Sequence, residues 1–132
     1  MSTPQLFQAD IERFAKALKQ DVDTVARAVV VELFNGIIED TRVDTGRLRG
    51  NWQVSLDNPI TTQTDRLDTV PQGSPGGSAQ ADVLATVQAG RVNWLSNNLP
   101  YAEVWEERDG MARRNIARLE RTVEQEARRV RR

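Results

Sequence analysis

An α+β fold is what this 132-residue sequence predicts: a long N-terminal helix and a C-terminal helix packed on a small β-sheet, with a long extended arm or loop between them. Three observations lead there. Apolar residues recur every three or four positions from Phe7 to Ile37 and again from Ile116 to Val130, as helices require. NWQVSLD and RVNWLSN alternate apolar and polar residues as half-buried strands do. Between them, DNPITTQTDRLDTVPQGSPGGSAQ is dense in turn residues, and so long a structureless stretch is uncommon in a small domain.

The elements follow in order within one domain, residues 1–132. Phe7, Ile11, Phe14, Leu18, Val22, Val25, Val29, Leu33 and Ile37 fall on one stripe, with Pro4 near the start and Ser2 or Thr3 available as a cap. The reading is one long, bent helix over 4–40, about 55 Å at 1.5 Å per residue. The acidic DVD at 21–23 is the place where it would otherwise break and a second helix be capped. This stripe exceeds what a small domain can cover, so part of it is expected to be buried between copies of the chain.

A corner and a strand occupy 41–56, with Trp52, Val54 and Leu56 on one face. Residues 57–80 are an arm ordered on a neighbour or a floppy insertion; as an arm, deleting 61–78 is expected to leave a folded protein that assembles poorly. Over 81–109 come a short helix ended by Gly90, a strand carrying Val92, Trp94 and Ser96 on one face, a turn through Asn97, Asn98 and Pro100, and a short amphipathic piece with Tyr101, Val104 and Trp105. The final helix, 110–130, has the seam Ile116, Leu119, Val123, Ala127 and Val130, and Glu120 and Glu124 are placed to pair with the Arg residues around them.

Composition narrows the chemistry. The chain has no Cys and no His, which removes disulfides, thiolate nucleophiles and the commonest general base and metal ligand. Carboxylate-only catalysis would need Asp40, Asp44 or Glu103, Glu106 and Glu107 gathered in one pocket, and Glu106 and Glu107 splay apart on a helix. No enzyme, cofactor or metal is therefore expected. No stretch approaches a membrane span, and MSTPQLFQADIERF has no basic region followed by an apolar block, so no secretory signal is expected. Net charge is −1, yet residues 111–132 carry 8 Arg against 3 Glu. Arg113, Arg114, Arg118, Arg121, Arg128 and Arg129 wrap around much of that helix, interleaved with acids, which suits a solvated face better than a reader of DNA.

The segment TRVDTGRLRGNW, 41–52, concentrates the remaining signal. As an anion site it would use Gly46, Gly50, Arg47 and Arg49, but it stands between a helix and a strand, the reverse of the order that aims a helix N-terminus at phosphate. As a rigid corner, Asp44 and Thr45 bond the backbone two residues on, Gly46 supplies a positive φ, Leu48 tucks back on the helix and Trp52 enters the core. The corner also presents Arg47 and Arg49 to a neighbour. Tyr101 is expected to be a second packing anchor; Trp94 and Trp105 serve either core or interface. Candidate interface contacts are Arg47, Arg49, Arg113, Arg114, Arg118 and Arg121.

A long helix running into Thr41–Trp52, then a variable arm, then NNLPYA followed by acids and Gly110–Met111, resembles the neck and tail-completion proteins of long-tailed bacteriophages, the small head–tail joining, minor-tail-type components. The matched pieces are Thr41 to Trp52, Asn97 to Glu103 and, more weakly, Gly110–Met111, and in order they span most of the chain outside 57–80. EVWEERDGM is shorter than the family pattern and lacks its Gly-Ser-rich turn, which puts the local geometry at Arg108–Asp109 in question. The resemblance implies an α+β fold and a homo-oligomeric ring, most simply a hexamer, in the neck or at the top of the tail. It implies other neck or connector proteins and the tail tube or tail terminator as partners, DNA crossing the lumen without specific binding, no membrane, and no catalytic residue. The implied location is the virion, after assembly in the host bacterial cytoplasm. The competing reading is a small nucleic-acid-binding protein using the Arg-rich C-terminal helix.

Overall fold

The first helical stretch breaks where its sequence turns acidic. The computed structural model describes residues 11–16 and 18–131, with the side chains of 126, 127 and 129–131 excepted. Residues 11–16 are helical (α1); Lys19 then takes φ 56°, and Asp21, in extended conformation, accepts from the Thr24 N–H at 3.1 Å to cap a second helix, α2, Val22–Glu39. The expected single helix over 4–40 is thus two helices. A local side-chain cap and one left-handed residue decide it, and the apolar stripe runs through the break without preventing it. The expected cap at Ser2 or Thr3, Pro4 and Phe7, and the seam positions Ala127 and Val130, lie outside what is described.

After the corner come α3, Arg47–Gly50, and strand β1, Gln53–Leu56. An irregular segment leads to α4, Ser78–Thr86, then β2, Asn93–Ser96, α5, Ala102–Asp109, and α6, Met111–Arg131. The two strands form an antiparallel ribbon in which Gln53 faces Ser96, Val54 faces Leu95, Ser55 faces Trp94 and Leu56 faces Asn93. This is an α+β fold with very little sheet.

Folding the broken helix back on itself changes what happens to the apolar stripe. Ile11 and Ala15 of α1 close on Val25 and Val29 of α2 and on Val123 of α6. Further along α2, Phe34, Ile37 and Ile38 meet Trp52, Val54, Ala79, Val83, Val87 and Met111. Most of the stripe is therefore covered within the chain, with Leu18 left 45% exposed. The expectation that it needs a neighbour to bury it rested on an unbroken helix, and falls with it. On α6 the buried line is Met111, Asn115, Leu119 and Val123, while Ile116, expected on the seam, is 42% exposed. Gly36 allows this crossing, because a Cβ there would overlap the Asn115 side chain.

The short helices are held by residues from elsewhere. α4 begins at Gly77, which has no side chain to cap with; the Asp68 carboxylate takes the Ala79 N–H instead, at 3.2 Å. At its other end Arg27 of α2 donates to the carbonyls of Leu84 and Val87 at 2.7 and 3.1 Å. α4 ends at Thr86, because Val87 turns extended to bury itself in the core; Gly90, expected to end this helix, lies in the turn that follows, with φ 76°. The α6 N-terminus follows Gly110, left-handed at φ 64°, and its free N–H groups at Ala112 and Arg113 are taken by the Glu106 carboxylate at 2.9 and 3.0 Å.

The segment after β1 is no dispensable arm. Asp68 and Arg49 form an ion pair, Nε to Oδ1 at 3.3 Å, with both side chains almost completely buried. The guanidinium also donates to the carbonyls of Pro71, Ser74 and Gly76 at 3.5, 3.1 and 2.8 Å. Arg66 donates to the carbonyls of Gly50 and Trp52, at 2.9 and 2.6 Å, and pairs with Asp82. A cation buried this way is costly unless fully partnered, so removing its carboxylate leaves an uncompensated charge. Asp68→Asn is expected to lower unfolding free energy by about 3–5 kcal/mol in a urea titration, with Arg49→Met/Asp68→Leu recovering much of that loss. Excision of 61–78 should abolish cooperative unfolding altogether, contrary to the sequence-based expectation.

Candidate functional site

Two stretches far apart in sequence, 41–52 and 97–103, are brought together as one body. Thr41 is fully buried; its hydroxyl donates to the Ile37 carbonyl at 2.8 Å and accepts the Trp52 indole N–H at 2.8 Å, so the indole closes the corner that begins at Thr41. Thr45 Oγ1 accepts the Arg47 N–H at 3.3 Å, and Gly46 has φ 89° and ψ 0°. Gly46 and Gly50 also admit the segment 66–68, which crosses directly over α3: the Asp68 N–H donates to the Gly46 carbonyl at 2.9 Å, and a Cβ at either glycine would overlap that backbone. The G-x-x-x-G spacing thus serves a close backbone crossing.

The second stretch docks on this corner. Asn97 donates from Nδ2 to the Leu48 carbonyl at 2.9 Å, and Asn98 donates to the carbonyls of Ile60 and Thr62 at 2.8 and 3.2 Å. Leu48 packs on Leu99, Ala102 and Trp105, toward the start of α5, whereas it was expected to return to the first helix. Pro100 is exposed in the turn, and Tyr101, expected to anchor the packing, is 39% exposed; Leu99, at 4%, fills that role.

Between the two stretches lies a cleft of about 620 Å³, with Arg42, Asp44, Thr45 and Arg47 on one side and Tyr101 and Trp105 on the other. The Arg42 guanidinium stacks on the Trp105 ring, 4.4 Å from its centroid, and Arg108 approaches the same ring at 5.4 Å. Arg42 also grips Asp109 with two bonds, at 2.6 and 3.2 Å. The Arg42 hydrogen bond, reinforced by Arg42, Arg114 and Arg108 charges, holds the Asp109 carboxyl below its ordinary range and raises Arg42 in turn. Arg108–Asp109, where the sequence departs from the family pattern, is therefore an ordered helix end. Trp105 is half-buried and Trp94 is 39% exposed on the outer face of the ribbon.

The cationic candidates divide. Arg49, expected at an interface, is 0% exposed and is committed to Asp68 and the loop carbonyls, so it presents nothing to a neighbour. Arg47 is exposed and donates to Gln63 Oε1 at 3.0 Å; Arg113, Arg114, Arg118 and Arg121 are exposed along α6. Asp44 is exposed and accepts no hydrogen bond from any described residue. Sequence reasoning missed Asn51, Arg66 and Asp68. Asn51 is buried, donating to the Arg47 carbonyl at 2.9 Å and accepting the Thr64 N–H at 3.0 Å. Nothing local to residues 64–68 announces that they belong to the corner.

The acids raised as possible catalysts do not meet in this cleft as a group. Asp40 accepts from Asn115 Nδ2 at 2.8 Å, Glu106 caps α6, and Glu103 and Glu107 are exposed on α5. Among the described residues no group of acids is placed to hold a metal ion, and no helix is long and apolar enough to cross a membrane. The chemistry this cleft offers is an aromatic wall, an exposed guanidinium at Arg47 and an exposed carboxylate at Asp44, which suit contact with another polypeptide.

The Arg42–Asp109 pair makes a pH prediction. Because the folded-state Asp109 carboxyl titrates below its unfolded value, its contribution is present above the unfolded carboxylate range and lost as pH falls through the folded one. Urea midpoints for wild type and Asp109→Asn should therefore differ at neutral pH and converge below about pH 4. A gap that persists unchanged into acid would contradict this. Arg42→Ala should shift the fluorescence of Trp105 at both pH values.

A family model described as "Bacteriophage HK97-gp10, putative tail-component" matches residues 6–86. No curated protein and no solved structure matches the chain significantly. The match spans more than half of the sequence and takes in α2, the 41–52 corner, β1, the segment that crosses the corner, and α4. The chain belongs to the HK97-gp10-like family of phage tail components.

Proposed function

We propose that this tail component is a non-enzymatic structural subunit that forms a ring in the neck or at the top of the tail, completes the tail and joins it to the head connector. Family membership supports the coarse statement. The finer one is carried by a single observation. Asp44, Arg47 and Tyr101, all from the stretches that bear the resemblance, line one exposed cleft while contributing little to holding the fold. Side chains that the core does not need, gathered on a rigid corner, are what a docking surface requires. In this reading the neighbours are further copies in the ring, other neck or connector proteins, and the tail tube or tail terminator. DNA crosses the lumen without sequence-specific contact. The protein is assembled in the host cytoplasm and ends in the virion.

The exposed arginines of α6 favour a second reading, a nucleic-acid-binding role, since phosphate contacts come chiefly from Arg and Lys. Salt separates the two. Duplex binding should weaken steeply between about 50 and 200 mM salt, and absence of any mobility shift at the low end removes that role.

Negative-stain microscopy of the purified protein should show closed rings, and protein composition of purified particles should include it. A phage lacking the gene should accumulate filled heads and tails that do not join. Normal infectious particles without the protein would overturn the reading. Asp44→Lys combined with Arg47→Glu should leave the unfolding midpoint close to wild type while reducing joined particles at least about tenfold, the scale of one or two lost interface charges.

A further inference from the structure

Charge is separated along this chain. Residues 1–110 hold 10 basic and 16 acidic side chains, a net −6, while residues 111–132 hold 8 Arg and 3 Glu, a net +5. The arginines do not wrap evenly around α6 as the sequence suggests. With Met111, Asn115, Leu119 and Val123 turned inward, Arg114, Arg121 and Arg128 stand on the solvent side at seven-residue intervals. Seven residues are nearly two turns, so the three guanidinium stems fall within a narrow stripe, about 10 Å from one to the next. Glu120 and Glu124, expected to neutralise them, form no ion pair with any described residue, and the side chains of Arg118, Arg121 and Arg128 are likewise unpaired among the described residues.

A matching face exists on α2. Glu32 and Glu39 are also seven residues apart, hence on one side of that helix with the same repeat of about 10 Å. They line a groove of about 350 Å³ between α2 and α6. Neither carboxylate is paired with a described residue, although Arg118 lines the same groove. Its lining includes Asn35, whose Oδ1 is buried and accepts no hydrogen bond. Two unpaired carboxylates one repeat apart, with the single guanidinium of Arg118 between α2 and α6, leave acceptor capacity that further guanidiniums can fill in a planar fork.

We propose that the Arg114–Arg121–Arg128 stripe of one copy docks along the α2–α6 groove of a second copy, its guanidiniums on Glu32 and Glu39. The occupant is a second copy because the two faces match in sign and in repeat length and both belong to this chain. The faces differ, so the contact is head-to-tail, the kind that closes into a ring when the rotation permits. The inference rests on the ring reading above and names the surfaces that would meet in it.

Charge exchange tests it. One variant carries Arg121→Glu and Arg128→Glu, and so presents acids on both faces; another carries Glu32→Arg and Glu39→Arg, and so presents bases on both. Sedimentation and light scattering should find each variant alone assembling at least about tenfold more weakly than wild type, with unchanged circular dichroism. An equimolar mixture should recover wild-type assembly, with the two chains alternating. Either variant assembling normally alone, or a mixture that does not recover, overturns the docking while leaving a ring built on other surfaces. A wild-type protein that stays monomeric at every concentration overturns the ring and this contact together. Duplex DNA shifted by wild type but not by the first variant, with that variant's assembly unimpaired, assigns the stripe to nucleic acid and overturns the proposal.

Discussion

The buried pair of Arg49 and Asp68 is the constraint on which the rest of this fold depends. A guanidinium with no exposed surface must find its partners inside the fold, and here they all come from the irregular segment between β1 and α4. The pairing pulls that segment across α3, and the crossing leaves no room for side chains at Gly46 and Gly50. The same carboxylate caps α4, whose Val83 and Ala79 then complete the main core against α2 and Trp52. One ion pair thus ties loop, corner, helix and core into a single cooperative unit. A two-stranded ribbon of four residues per strand could not organise these elements by itself.

That rigidity gives the cleft its character. Trp105 is clamped between the hydrophobic contact with Leu48 on one side and the stacked Arg42, itself fixed by Asp109, on the other. Arg47 and Asp44 project from a corner whose backbone is already held by Thr41, Trp52 and the crossing segment. Surfaces presented by such a scaffold lose little conformational entropy on docking. For a tail component, which must meet its neighbours in a defined geometry, a preorganised corner is physically more useful than a flexible arm.

The break in the first helical stretch changes what assembly has to cover. An unbroken helix would have left apolar surface needing a partner. The fold-back at Lys19–Asp21 covers most of it internally, against Val123 and Leu119 of α6. What remains unmatched on the described surface is scattered apolar side chains and unpaired charge. The charge includes the unpaired arginines of α6 and the unpaired glutamates of α2. Contacts built on such faces bring specificity of orientation as well as attraction, because like faces repel one another.

Much was determined by sequence alone: the helices α2 and α6 from their periodicity, both strands from alternation, the corner from Thr45 and Gly46 followed by Trp52, and the family from two short stretches in order, while Asp44 does not make the backbone bond expected of it. These are local properties, set by backbone preferences and the burial period within a few residues. Only tertiary structure decided the role of Arg49, because its partner Asp68 is nineteen residues away and sits in a segment that looks like solvated linker. It also decided that Tyr101 and Ile116 face water while Leu99 and Asn115 are buried, since which side of a short helix turns inward depends on what packs there. Burial of a charge is a long-range agreement between two parts of the chain. No local pattern encodes such an agreement.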